Sequence, residues 1–220
     1  MLENTEFITQ IKRRGETYAL FARMFRQEVT PDLLRRLRKM RNGISDPEAV
    51  GIGYILLDRY LSSIEALDDN QAIAELAADY AGLFLNAGSC PVYPYESVYT
   101  SPEQLLMQEA RDKVQRMYAA CGLTLSGEFH EPEDHIAFEM EFMSHLCFRA
   151  IAASEEGNAE TARAHLRSQR EFLEDHLLLW IPRFCEDLVT NATTDFYRAL
   201  GYLVRDFLQL EKTLFAEWRL

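Results

Sequence analysis

Between residues 128 and 141 the chain carries six acidic side chains and no lysine or arginine: Glu128, Glu131, Glu133, Asp134, Glu139 and Glu141, with His130 and His135 among them. Carboxylates and imidazoles at that density can hold a metal, move a proton or grip a cation. His135 and Glu139 are four apart, as are Glu141 and His145, so each pair shares one face if the segment is helical. A di-iron carboxylate bundle needs Glu-x-x-His on two helices, and that spacing is absent, as is the HExxH of zinc proteases. The plainer reading is a helix N-terminus. Pro132 then sits at or just before the first turn with Glu133 and Asp134 in it, where acids suit the positive end of the helix dipole. That explains the acids near the helix start and leaves the paired histidines, Glu139 and Glu141 without a reason.

Two further stretches stand out. Cys90 to Tyr99 packs three tyrosines, two prolines and Glu96 into ten residues that no helix tolerates throughout. It reads either as a loop pinned by aromatics over helix ends or as an apolar recognition surface, since amphipathic rings bind at low entropic cost. His176 to Phe184 reads as a buried helix end, with Trp180 packing, His176 hydrogen-bonded and Pro182 terminating or bending the last turn. The basic run from Arg35 to Arg41 reads as a solvated face, or one that neutralises acidic neighbours. Neither GxxxxGK[ST], GxGxxG nor GxSxG occurs, and no Cys-His pair can be assigned from separation alone, so enzymatic chemistry has no positive support. Cys90, Cys121, Cys147 and Cys185 are 31, 26 and 38 residues apart, which excludes CxxC-type metal and redox motifs and predicts free, buried thiols.

The elements that must position these groups are helices. Ile8, Ile11, Gly15, Tyr18, Ala22 and Phe25 step by three and four, and so do Phe196, Leu200, Leu203, Phe207, Leu210 and Leu214. Pro31 opens a second helix that ends near Asn42-Gly43. A third follows Ser45-Asp46-Pro47 to about Leu67, and a fourth covers about Gln71 to Leu85. After the proline-rich break, Pro102 restarts a helix to about Cys121. Another runs from about Glu133 into the 150s, and a long one from Gly157-Asn158 to near Cys185. No segment alternates, so no strand is predicted. An all-α bundle of about eight to nine helices follows. It is a single domain with an N-terminal half (1–121), a hinge loop (122–132) and a C-terminal half (133–220).

Composition fits. The 220 residues are 48% hydrophobic and 26% charged, which is globular, and Lys+Arg 23 against Asp+Glu 35 gives a net charge of -12. Such a balance disfavours nucleic acid, whose binders neutralise phosphate, and suits solubility or a basic partner. Met1-Leu2-Glu3-Asn4 leads to Lys12-Arg13-Arg14 before any sustained apolar run, unlike a signal peptide, and no uncharged stretch is long enough to span a bilayer, so a soluble cytoplasmic protein is expected.

Three of these stretches together resemble the TorD/DmsD family of cytoplasmic molybdoenzyme chaperones, also called redox enzyme maturation proteins. The matches are Tyr80-Ala-Gly-Leu-Phe84 running into Tyr93-Pro-Tyr-Glu-Ser-Val-Tyr99, then Glu131-Pro-Glu-Asp-His-Ile136 with Glu139, then His176-Leu-x-x-Trp180-x-Pro182-x-Phe184. Their order and spacing agree over roughly residues 80–185, and the acidic Pro-x-Asp-His stretch is the most specific. The resemblance implies an all-helical chaperone and not an enzyme, with no cofactor or metal of its own. It would bind the twin-arginine leader and the apo-catalytic subunit of a molybdopterin-dependent oxidoreductase, assist cofactor insertion and delay export. It also implies a monomer or a homodimer swapped through 122–132. Asp134 and His135 are implicated in leader binding, Tyr80, Leu83 and Phe84 in the apolar wall of the site, and Tyr95 and Glu96 in the loop beside it. Tyr80 stands where some relatives have tryptophan, which implies a different leader preference.

The physics suits that role. An acidic rim around an apolar helix-lined groove attracts the cationic start of a leader and shelters its centre. Asp134 or Glu131 would take a guanidinium in a bidentate contact. On this reading Asp134→Asn weakens leader binding with little loss of fold, and His135 responds to pH near neutrality. The competing readings are a helical scaffold for another basic segment and a carboxylate-bridged metalloenzyme.

Overall fold

Three-and-four periodicity becomes ten α-helices in the computed structural model, which describes residues 5–41, 51–127 and 129–218. The reading of Met1-Leu2-Glu3-Asn4, the helix end at Asn42-Gly43, the helix start at Ser45-Asp46-Pro47, and Glu128 lie outside the described residues. The helices are α1 Thr5–Arg26, α2 Pro31–Arg41, α3 Ile52–Ser63, α4 Asp69–Phe84, α5 Glu96–Thr100, α6 Glu109–Ala120, α7 Ile136–Glu155, α8 Ala159–Phe172, α9 Leu178–Asn191 and α10 Asp195–Glu217. A π-helical turn, Leu173–Leu177, joins α8 to α9, so these form the one long run expected from sequence. Among the described residues the only extended pairing is an isolated antiparallel bridge between Tyr95 and His135.

The chain forms two compact units. The first comprises residues 1–26, 95–181 and 208–220, and the second 27–94 and 182–207. The expected hinge, 122–132, lies inside the first.

In the first unit α1 packs on α7 where Gly15 admits it. A Cβ on Gly15 would stand 3.0 Å from the Cβ of Cys147 and 3.2 Å from the Phe148 ring, so any larger residue would make its neighbours on α7 give by a few tenths of an ångström. The α1 stripe is buried from Ile11 to Phe25. The C-terminal half of α10 corrects its expected stripe: Leu210 is 63% exposed, and the inward face instead runs through Leu208, Glu211 and Phe215. Glu211 is tolerated inside because Arg14 donates to both of its oxygens, at 2.7 and 2.6 Å, and the Tyr18 hydroxyl donates at 2.9 Å. A buried charge needs such saturation.

In the second unit α4 meets the start of α10. Tyr80 and Tyr197 lie 6.2 Å apart and Phe84 stacks on Phe184 at 6.4 Å. The buried Asp79 accepts from the backbone N–H groups of Thr193 and Thr194 at 3.0 and 2.8 Å, satisfying donors at the start of α10. The basic α2 is partly neutralised: Arg38 pairs with Asp69 at 2.7 Å and Arg41 with Asp58 at 2.6 Å.

Three boundaries differ from expectation. Pro102 does not restart a helix; 101–108 is a loop, and α6 begins at Glu109. Glu133 and Asp134 precede α7, whose N-cap is His135. Pro182 does not end α9, which continues to Asn191. The proline ring crowds the carbonyl four residues back, Leu178, and the helix widens to the π turn immediately before that residue. All four cysteines are free, with only Cys147 and Cys185 buried. No helix of the described residues is long and apolar enough to cross a membrane.

Candidate functional site: a buried carboxylate cluster and an acidic cavity

The Tyr95–His135 bridge draws the aromatic loop and the acidic stretch together in the first unit. Glu96 N–H donates to the Asp134 carbonyl at 3.0 Å, and Ser97 N–H donates to Asp134 Oδ2 at 2.8 Å. One carboxylate thus caps α5 from outside the helix. Asp134 is 0% exposed, so its carboxylate is sealed from solvent as the chain stands.

Asp134 belongs to an interior group. Glu96, Asp134 and Glu139 are all buried, as is His176. His176 Nδ1 lies 2.7 Å from Glu96 Oε2, and Trp180 Nε1–H donates to Glu139 Oε2 at 3.0 Å. Burial raises the Glu139 carboxyl well above the usual range, and the neighbouring charges of Glu96 and Asp134 add to it. Burial likewise raises Asp134, against the bonds from Ser97. Glu139 Oε1 is a buried acceptor without a donor when ionised; as the neutral acid it can donate to Glu96. Burial and the two acidic neighbours therefore favour the neutral form of Glu139. Among the described residues no three His, Cys, Asp or Glu side chains are grouped to hold a metal.

His135 has a structural task. Its Nδ1 accepts from Ala137 N–H at 3.0 Å, capping α7. The ring sits edge-on between Tyr95 and Phe129, with centroids 5.1 and 5.0 Å away. Burial, with Arg26 nearby, holds its pKa down at about 3. The expected response near neutrality is therefore absent: the imidazole is neutral.

Glu131 behaves differently. It is half-buried, its Oε2 accepts from the Tyr95 hydroxyl at 2.7 Å, and it lines an open cavity of about 610 Å³ with Met107, Leu125, Phe129 and Glu133. Glu133 is already committed, since Arg111 donates to both its oxygens and Gln115 to one. Among the described residues Glu131 is the carboxylate of the acidic stretch that faces the cavity held by a phenol and by no cation.

Tyr80, Leu83 and Phe84 belong to the second unit, where Tyr80 and Leu83 are buried and Phe84 half-buried. Leu83 lines a cavity of about 480 Å³ with Asp79, Gly82 and Cys90. Of the sequence-derived set, Tyr95, Glu96, Glu131, Asp134 and His135 are brought together in the first unit. Sequence reasoning missed Ser97, Tyr118, whose hydroxyl donates to the Glu133 carbonyl at 3.1 Å, and Glu139 as an interior acid. One signal was available for Glu139: it stands in an otherwise apolar first turn, Ile136 to Met140.

Residues 46–186 match the family model described as nitrate reductase delta subunit. The chain is 29% identical over 206 residues to the chaperone protein TorD of Vibrio cholerae, covering 91% of each chain. It is 31% identical to TorD of Photobacterium profundum, over 83% of this chain and 74% of that one. The fold matches a crystal structure described as a redox enzyme maturation protein from Archaeoglobus fulgidus, with TM-score 0.55 and 22% identity over 89% of this chain and 93% of that one.

Proposed function

The chain belongs to the nitrate reductase delta subunit family, a family of maturation proteins and not of catalysts, and from that premise we propose that it is a cytoplasmic chaperone which binds the twin-arginine leader of a molybdoenzyme. It holds the apo-catalytic subunit during cofactor insertion and delays its export. The observation that carries the leader reading is Glu131: a carboxylate on the wall of an open cavity, held by Tyr95 and flanked by Met107, Leu125 and Phe129. A guanidinium entering there would gain a charge-assisted bond and leave apolar wall for the residues that follow it. Asp134, His135 and Glu96 act on this cavity from behind, by fixing the bridge that positions Tyr95. Tyr80, Leu83 and Phe84 are proposed as apolar leader contacts, and 122–132 as the hinge.

Calorimetric titration of the full chain with a synthetic twin-arginine leader peptide tests this. Glu131→Gln is expected to weaken binding about tenfold, on the scale of one charge-assisted bond. Asp134→Asn, which keeps an acceptor for Ser97 N–H, is expected to change affinity less than threefold, well under that scale. Equal affinity for wild type and Glu131→Gln would remove the leader from this cavity.

A further inference from the structure

We propose that the loop between α5 and α6, residues 101–108, is a docking surface for a cationic amphipathic segment of a partner protein, separate from the contact at Glu131. Leu105, Leu106 and Met107 are consecutive and 57%, 42% and 57% exposed, and Leu179 on α9 is 62% exposed. Pro102 and Leu179 both line a cavity of about 320 Å³, and Met107 lines the other cavity with Leu125, so the loop borders both. Apolar side chains gathered on a surface in this way mark an interaction site more often than scattered ones do.

The loop is fastened in this shape. Gln104 and Met107 have φ of 54° and 60°, in the left-handed region that residues with a Cβ rarely occupy. Such conformations persist only where the surroundings fix them. Here Gln104 N–H donates to the Ser101 carbonyl at 3.2 Å, Gln108 N–H to Ser97 Oγ at 3.1 Å, and the Gln108 side chain to the Leu106 carbonyl at 2.9 Å. Ser97 is itself held by Asp134. The three apolar side chains are displayed on a pre-ordered loop, which lowers the ordering cost of binding.

Charge selects the occupant. Glu103 and Asp175 line the 320 Å³ cavity, and neither makes an ion pair among the described residues, whereas Lys113 is engaged by Glu109 at 3.0 Å. A second copy of a chain with net charge -12 would bring like charges together, and an anionic membrane surface would be repelled. A segment carrying lysine or arginine beside leucine-type residues satisfies both the apolar ridge and the two free carboxylates.

The probe is a synthetic amphipathic peptide of leucine and lysine, titrated into the full chain, with a leucine and glutamate peptide as control. Binding of the lysine peptide alone is expected, weakened at least tenfold in Leu105→Ser/Leu106→Ser and severalfold in Glu103→Gln/Asp175→Asn. Leu210→Ser, equally exposed and bordering neither cavity, should leave it unchanged, and because the reading at Glu131 is decided by the separate titration with a twin-arginine leader, its failure does not decide this one. All substituted positions are exposed, and unchanged thermal melting is the folding control. Three outcomes overturn the proposal: affinity unaffected by the loop variants, self-association by light scattering that Leu105→Ser/Leu106→Ser abolishes, or loop-dependent sedimentation with phosphatidylglycerol vesicles.

Discussion

A carboxyl sealed from solvent beside two acidic neighbours is most stable as the neutral acid, and Glu139 meets that description beside Glu96 and Asp134. Its folded pKa lies above its unfolded one. Its contribution to stability is therefore complete at low pH and is lost as pH rises through the folded value. Glu139→Gln keeps an acceptor for Trp180 and a donor toward Glu96, so it should flatten the alkaline limb and gain about 1–3 kcal/mol at pH 8. Equal destabilisation at pH 5 and pH 8 in denaturant titrations would sink this assignment. His135 works on the opposite side. Its pKa is held down at about 3, so its contribution is present above the unfolded value near 6.5 and is lost as pH falls toward the folded one. His135→Asn preserves a good cap without the titrating ring. Melting curves of this variant are expected to lose less stability than wild type between pH 7 and pH 5. These two residues could be singled out from sequence by type, but their protonation follows from burial, which no spacing encodes.

Helix α7 shows how an element can be legible while its ends are not. Its apolar content and length were readable, yet the start shifted from Glu133 to Ile136 because the His135 side chain reaches the Ala137 N–H. A histidine is an uncommon cap, and the acids before it, which suit a first helical turn, lie outside the helix. At the other face, Gly15 of α1 sets how closely α7 can approach. Gly15→Val should cost about 1–3 kcal/mol through overpacking against Cys147 and Phe148, read as a lower denaturant midpoint. Little change would mean that the two helices separate freely. The α5–α6 connection was misread for a related reason: proline favours a first helical turn, but the hydroxyl of Ser97 and the side chain of Gln108 fasten 101–108 as a loop.

Over the whole chain the excess of carboxylates is twelve, and the folded state concentrates that charge. Like-charge repulsion across the surface then opposes compaction, and salt screens it. Raising NaCl from 50 to 300 mM, which brings the Debye length to well under 10 Å, should raise the thermal midpoint by several degrees. A falling midpoint would mean that surface ion pairs such as Arg38–Asp69 and Arg41–Asp58 outweigh the repulsion. The same salt should weaken any complex with a cationic segment. The all-α class and the acidic character were legible in periodicity and composition over the full length, whereas the family resemblance rested on motifs between residues 80 and 185.

Periodicity records which face of a helix is apolar, so the sequence alone determined the helices; the closeness of the aromatic loop to the acidic turn was implied only by the family resemblance, and the bridge that joins them is a tertiary feature. The sequence did not determine which carboxylates go inside. Asp134 and Glu131 are three residues apart and chemically alike, yet one is sealed against Ser97 and the other lines a cavity. Glu211 interrupts an apolar face because Arg14, 197 residues away, saturates it. Burial of a charge depends on donors brought from distant segments, and only the tertiary structure supplies them.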